Sequence, residues 1–526
     1  MKKVDFLRKK YPRFVYENFG WEISGKDLKI SFDFRIPPQI KFRPKLIIKN
    51  VKKYQIKKIG PVPQQAGYGV KDRVIDNFVF HLGLIELLSY WKATCSPEVL
   101  VKAGYLNNEQ IRWWKNLIDR GMGQFFYENK INFLKPDFIK IISTGDFYDR
   151  RNRQQGGSLN QSVINEAGPR REILVPVGGG KDSIVTLEIL KHAKSARSAK
   201  VSRNANAPMQ IVCFSLNPTR AAKKIMKIAC CKNSIIVERK IDRKLLKLNR
   251  QGFLNGHTPF SAYLAFLSVL SAVLFDQKYI AFSNERSSNE GNVRYLGRMI
   301  NHQYSKSFDF EQKFRKYSKK YLAQNVEYFS FLRPLYEIQI AKLFSRYPKY
   351  FNTFLSCNVA YQTKSRTKKP NKKWCGTPNQ NEVRFGTSPA PCRIRRLWCG
   401  DCPKCLFVFA ILYPFIDKKK LIKIFGQNLF EKRRLLPLML ELMGERKFKP
   451  FECVGTKKES LIAFYLAFRS FKRRRVKLPF LLSYFEKKIL PKYPNLEKES
   501  KELLNSWSNQ HNLSKEFEKI LKNSQH

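Results

Sequence analysis

The sequence predicts an α/β protein in which a parallel sheet, covered on both faces, follows an N-terminal α+β domain and precedes a helical C-terminal region. Three observations lead there. Strand-like and helix-like runs alternate at short pitch between residues 172 and 282, as parallel pairing requires, because each crossover needs room for a helix. Ahead of them, a period of two gives way to a period of 3.6. Beyond about Phe308 the chain turns helical and basic. At 526 residues with 43% hydrophobic content, the chain is long enough for two or three domains with substantial cores.

The elements come in order. Residues 11–60 read as strands, with Phe14–Phe19 and then Leu28–Ile36 alternating as a half-buried antiparallel sheet does. From Asp76 to about Phe133 the apolar spacing is helical, so residues 1–149 form the α+β domain. Residues 150–171 are polar and rich in Gly, Asn and Gln, which reads as a linker. The α/β domain, 172–310, opens with a strand at Glu172–Val177, a glycine turn and a helix at Ile184–Ala193. A strand at Gln210–Leu216, a helix at Arg220–Ala229 and a strand at Ser234–Glu238 come next. The apolar run Thr258–Phe275 leads into a strand at Lys278–Phe282; its Pro259 and three serines, between two strands, mark a buried crossover helix rather than a membrane span. Residues 194–209 read as a surface insertion. Residues 311–496 form the helical region, interrupted by a flexible insertion at 364–396, and 497–526 read as an exposed polar tail.

The start of the chain carries charged residues instead of an apolar run, so no secretory signal peptide is visible and the cytoplasm is the expected compartment. A formal charge of +58 favours anionic partners, yet Lys and Arg are spread from Lys2 to Lys522, which reads as a bias of the whole chain more than a nucleic-acid surface. Eleven cysteines, an odd and unevenly placed set, argue against a disulfide framework and leave metal binding or free thiols.

Two local patterns carry chemistry. Gly178-Gly179-Gly180-Lys181-Asp182-Ser183 lies between a buried strand and a helix. Glycines there let the backbone turn sharply and aim N–H groups at an anion, with the helix dipole behind them. Asp182 beside a polyphosphate calls for a divalent cation, which makes it a Mg²⁺ contact, and Ser183 sits where a hydroxyl reaches a phosphate oxygen. The pattern is neither a Walker loop nor a dinucleotide fingerprint. Cys399-Gly-Asp-Cys402-Pro-Lys-Cys405 spaces three thiols as a zinc knuckle does. Tetrahedral zinc needs a fourth ligand, for which Cys357 is the first choice, with Cys375 and Cys392 competing. Such a site would be closed and structural, stapling the far side of the insertion to the body.

The glycine turn resembles the Ser-Gly-Gly-x-Asp-Ser loop of the N-type ATP pyrophosphatases (PP-loop proteins, of adenine nucleotide alpha-hydrolase-like fold), with Gly178 in place of the first serine. The set formed with Asn255–Pro259, Ser283–Ser287, Asn301–Ser307, Trp398–Cys405 and Phe451–Gly455, and with Tyr90–Pro97 in the leader, resembles the bacterial UDP-N-acetylmuramoyl-L-alanyl-L-glutamate epimerases. That resemblance covers most of the chain. It implies inversion of the terminal L-glutamate of a UDP-MurNAc-dipeptide, dependent on ATP and Mg²⁺, in cytoplasmic peptidoglycan precursor synthesis, and so a part in cell wall biogenesis and cell shape. The chemistry is coherent: a free carboxylate makes loss of the adjacent α-proton very unfavourable, whereas a carboxyl-adenylate removes that charge, with AMP and pyrophosphate as products. Gly178, Gly179, Gly180, Lys181, Asp182 and Ser183 would hold ATP. Lys181 and Arg286 are placed to neutralise phosphates or migrating charge, and His257, Glu285, His302 and Cys453 are candidate bases and acids, with Lys306 in the same segments. An enzyme that adenylates a tRNA base is the alternative reading, favoured by charge and knuckle but not by the segments outside the loop; an idle ATP-binding or precursor-binding module is a third.

Overall fold

In the computed structural model, residues 2–52, 55, 73–144, 170–196, 210–360 and 397–525 are described. Residues 150–169 of the linker, most of the insertion after the first α/β helix, the insertion at 364–396 and the competing ligands Cys375 and Cys392 lie outside the described residues, while Arg170 and Arg171 belong to a strand.

Eleven strands form one mixed sheet. The leader supplies β1 (Arg13–Ser24), β2 (Asp27–Ile36), β3 (Ile40–Phe42), β4 (Lys45–Lys49), β5 (Glu98–Val101) and β6 (Lys140–Ser143). The α/β part supplies β7 (Arg170–Pro176), β8 (Gln210–Leu216), β9 (Ser234–Lys240) and β10 (Gln277–Phe282); β11 (Val293–Tyr295) and β12 (Arg298–Ile300) make a separate hairpin, and β13 (Glu327–Ser330) returns to the sheet. The order is β13-β10-β7-β8-β9-β4-β2-β1-β5-β6, with β3 on β2. Pairing is parallel from β13 to β9 and again from β1 to β6; β9-β4, β4-β2 and β2-β1 are antiparallel.

The expected parallel core is therefore present, and so is the helical region beyond it. The leader strands do not build a sheet of their own: Lys45–Ile48 of β4 pairs with Val237–Lys240 of β9 and extends the same sheet. The stretch expected to be helical through Phe133 is broken by β5, because Val99-Leu-Val101, following Pro97, fits the slot between β1 and β6.

Alternation along the strands feeds two cores. Leu174, Val212, Phe214, Ile235, Val237 and Ile280 face one core, shared with the helices Arg73–Trp91 and Phe260–Leu274. Ile173, Val175, Cys213, Ala281 and Phe329 face the other, shared with Lys181–Ala196 and the C-terminal helices. The Phe260–Leu274 helix is buried on nearly every side, as a crossover helix should be, and among the described residues no helix is long and apolar enough to cross a membrane. The tail is not a loose helix. Phe517 and Leu521, one turn apart in Lys515–Gln525, are buried, and the Phe517 ring lies 4.7 Å from Phe329 and 5.2 Å from Tyr279. Cys213 and Cys231 are joined as a disulfide, which corrects the expectation of free or metal-bound thiols for that pair: a turn after the helix Arg220–Ile228 brings Cys231 back beside β8.

Candidate active site

Chain order fixes where a site forms. From β7 the chain builds outward through β8 and β9, then crosses back to place β10 and β13 on the other flank. The switch of direction falls between β7 and β10; in open parallel sheets the loops diverge at such a point and form a crevice at the carboxyl ends of the strands.

The glycine turn leads from β7 into that crevice. Gly179 has φ +109°, a conformation that side-chain-bearing residues rarely adopt, and its carbonyl accepts from the N–H of Leu355 at 2.8 Å. Gly178 is exposed, and a Cβ there would meet nothing within 4 Å, so one side of the turn is open to a ligand. Ser183 Oγ donates to the Gly180 carbonyl at 3.1 Å. Lys181 does not extend into solvent. Its side chain is 3% exposed, and its ammonium binds both the half-buried Asp182 carboxylate and the buried carboxylate of Glu337. Burial lowers the Lys181 pKa, but the two carboxylates outweigh it and hold the amine charged.

After β10 comes Ser283-Asn284-Glu285-Arg286. Ser283 Oγ bonds Thr186 Oγ1 at 2.9 Å, and Asn284 Nδ2 donates to Ser330 Oγ at 3.0 Å, which tie this turn to its neighbours. Glu285 is buried. Burial first, then the like charge of Glu337, pushes its carboxyl up to about 7, with Lys306 partly offsetting them. Glu337 is held well below the usual range: burial opposes ionisation, but Lys181 and then Lys404 prevail. Two neighbouring carboxyls are thereby set apart, one ionised and one poised near neutrality, the arrangement that separates fixed charge from proton carrier. Arg286 stacks its guanidinium on Tyr336, 4.4 Å from the ring centre.

The third group comes from the β11-β12 hairpin and the turn leading out of it. His302 Nδ1 lies 3.0 Å from Asn292 Oδ1. Asn292 Nδ2 donates to the Pro450 carbonyl at 2.8 Å, so Oδ1 is the atom facing His302, and it can only accept. The imidazole therefore carries its proton on Nδ1 and turns unprotonated Nε2 toward Cys453 Sγ, 4.0 Å away. Lys306 Nζ donates to the same sulfur at 3.2 Å. Burial and then the ammoniums of Lys306, Lys449 and Lys404 push His302 down to about 3; burial, then His302, Lys92 and Lys306, push His257 down to about 4. Both imidazoles are neutral at physiological pH, and their rings lie 6.1 Å apart. The backbone of this region is pinned by Arg333, which is fully buried and donates to the carbonyls of Glu285 at 2.7 Å and Lys306 at 2.5 Å while pairing with Glu311 at 3.2 Å.

The four thiols of Cys357, Cys399, Cys402 and Cys405 converge, with all sulfurs within 4.8 Å of one another. Observed separations are 3.8 Å for Cys357–Cys402 and 3.5 Å for both Cys399–Cys405 and Cys402–Cys405. A tetrahedron with Zn–S bonds of about 2.3 Å demands S–S edges of about 3.8 Å, so the donor set fits zinc. Backbone N–H groups of Ala360, Gly400 and Asp401 point at Cys357, Cys405 and Cys399 at 3.4, 3.3 and 3.5 Å, as knuckle turns do to stabilise thiolates. This cluster is not remote from the crevice. Leu355, two residues before Cys357, bonds the glycine turn, and Lys404, between two of the thiols, is buried with its amine 3.6 Å from Glu337 and on the Cys453 carbonyl.

The candidates that lie among the described residues form one connected group around the glycine turn, the turn after β10 and the cysteine cluster. Glu337, Lys404, Asn292 and Arg333 complete it, and sequence reasoning misses all four. Lys404 alone has a visible cue, its place inside the knuckle.

The fold is α/β, a mixed sheet whose parallel strands end at a glycine turn grouped with a buried carboxyl, a neutral imidazole and a thiol. Similarity to known proteins narrows this. Residues 6–331 match the model of the MurL N-terminal domain, and residues 390–488 that of the MurL C-terminal domain. Curated relatives named UDP-N-acetyl-alpha-D-muramoyl-L-alanyl-L-glutamate epimerase include those of Salinispora tropica (31% identical, 73% of this chain and 72% of the relative), Xanthomonas oryzae pv. oryzae (31%, 73% and 72%) and a Micromonospora species (33%, 73% of each). The chain belongs to this epimerase family. No solved structure matches it.

Proposed function

We propose that this chain inverts the terminal L-glutamate of UDP-MurNAc-L-Ala-L-Glu to D-glutamate, consuming ATP to AMP and pyrophosphate through a carboxyl-adenylate, as a step in peptidoglycan precursor synthesis. The relatives' names support the substrate class. The observation that carries the mechanism is the meeting, in one crevice, of an open glycine turn with Glu285, a buried carboxyl poised near neutrality.

Gly178 to Ser183 would hold the triphosphate of ATP, whose chemistry is to exchange a carboxylate charge for a leaving group. Asp182, half-buried in the first turn of the helix that follows, would be the contact for Mg²⁺. Lys181 is committed to Asp182 and Glu337, so its part is to fix the turn's charge balance. Once the substrate carboxylate is neutralised, Glu285 accepts or returns the α-proton. Cys453, with the Lys306 ammonium on its sulfur and the neutral His302 ring beside it, serves the opposite face, its sulfur giving or taking the second proton while His302, anchored by Asn292, orients it. Arg286, stacked but half-buried, is left to meet phosphate. Zinc in the cysteine site would be structural.

Purified protein is incubated with ATP, Mg²⁺ and the muramyl dipeptide nucleotide in deuterated water. Expected are pyrophosphate, AMP and a D-glutamyl product carrying deuterium at Cα. Glu285→Gln should lose about 100-fold or more in turnover, as removal of a general base or acid does. ADP with orthophosphate, or inversion without solvent label, would overturn the proposal.

A further inference from the structure

Three features of the chain converge on one side chain. Lys404 lies between Cys402 and Cys405, so two of the four clustered thiols fix the backbone on either side of it. It is 5% exposed although its side chain is long and charged. Its amine spends its bonds inside the crevice, 3.6 Å from Glu337 and on the carbonyl of Cys453. Glu337 is the carboxylate that also binds Lys181 of the glycine turn, and Cys453 is the thiol held by Lys306. Through a single ammonium, the knuckle therefore reaches the glycine turn by way of Glu337 and directly touches the segment that carries the thiol.

A buried lysine in such a place needs a reason. Burying an ammonium costs several kcal/mol unless it is paired and hydrogen-bonded. A residue whose only task was to fill space between two thiols would be apolar. A metal ion bound by the four thiols would immobilise the Lys404 backbone from both sides, since the flanking ligands cannot move independently of the ion.

We infer that Lys404 is a positioning residue: an ion held by Cys357, Cys399, Cys402 and Cys405 fixes Lys404, and Lys404 fixes Cys453 in register with Glu337 and the glycine turn. This rests on the reading of Cys453 as a proton carrier. The cysteine site is then structural in coordination yet directly coupled to the proton-transfer machinery, with one lysine side chain as the link.

The test uses the full chain without nucleotide and reads the alkylation rate of Cys453 by iodoacetamide, followed by peptide mass spectrometry, alongside bound metal by elemental analysis. Wild type should hold one zinc ion per chain. Removing it with a chelator, while far-UV circular dichroism stays native, should speed Cys453 alkylation about tenfold, because its segment loses an anchor. Lys404→Met should keep the zinc and show the same acceleration. In the epimerase assay it should lose about 100-fold in kcat with KM changed less than about threefold, the mark of misplacement rather than lost binding. Lys404→Arg should recover part of both. The inference is overturned if purified chain holds no stoichiometric metal, if metal removal leaves Cys453 alkylation unchanged, or if Lys404→Met alkylates and turns over like wild type. Absence of epimerisation in wild type would sink the functional proposal alone, because the alkylation readout needs no turnover.

Discussion

Glu337 carries two lysines on one carboxylate, and the consequence of neutralising it can be worked from the geometry. At 3.6 Å and an effective dielectric near 20, its attraction to Lys404 is about 4 to 5 kcal/mol before desolvation. Breaking a buried pair by removing one partner costs about 3–5 kcal/mol. Lys181 keeps Asp182, so the loss in Glu337→Gln falls at the low end, about 3 kcal/mol. Lys404→Met strands less charge, because Lys181 still faces Glu337, and about 2 kcal/mol is expected. In the double variant neither charge is left alone, so its loss should fall short of the sum of the singles by at least about 1 kcal/mol. Urea denaturation followed by circular dichroism at pH 7.5, without nucleotide, gives all four values. The sign with pH is also fixed: Glu337 is held below its unfolded value, so its contribution is present above about pH 4.5 and is lost as the pH falls through its native value. Strictly additive single losses would refute the shared-carboxylate reasoning.

Other expectations arise from the same site. His257 and His302 are buried neutral, with native values of about 4 and 3, so stability is fully present above pH 6.5 and drains as the pH falls toward those values. For His257 the effect amounts to about 3 kcal/mol. His257→Asn should therefore flatten the dependence of the unfolding midpoint on pH between about 6.5 and 4, and an unchanged slope would contradict the assignment. Gly179→Ala must adopt φ +109° and should cost about 1–3 kcal/mol in unfolding free energy, together with loss of ATP binding measured by calorimetry. Gly178→Ala meets open space, so its stability should stay within about 0.5 kcal/mol of wild type while ATP affinity falls, which separates steric strain from ligand approach.

The parallel core is legible in the sequence because its information is local. Strands at Gln210–Leu216 and near Ser234 and Lys278 announce themselves by short apolar runs rich in β-branched or aromatic residues, and the glycine turn by three consecutive residues. Cys357 can be chosen as fourth ligand because it ends a structured stretch, and the structure brings it among the other three thiols. The concealed part depends on contacts between distant segments. Glu337 meets Lys181 across 156 positions, and no spacing rule links them. β5 and β13, four residues each, are too short for a period to emerge. Arg333 and Asn292 look like ordinary polar residues until the fold buries them against the backbone of the site. The tail reads as exposed because its core residues, Leu503, Phe517 and Leu521, are diluted by lysines and glutamates.

The antiparallel joint between β4 and β9 has a consequence for how the molecule behaves as a whole. Four residue pairs there give β9 a partner on its outer side. Without residues 1–144, β9 would become a bare sheet margin, free to recruit strands from other copies, so a fragment restricted to the α/β and helical parts should self-associate. Because the sheet is continuous across this joint, the leader is tied by backbone hydrogen bonds to the same sheet that carries the glycine turn.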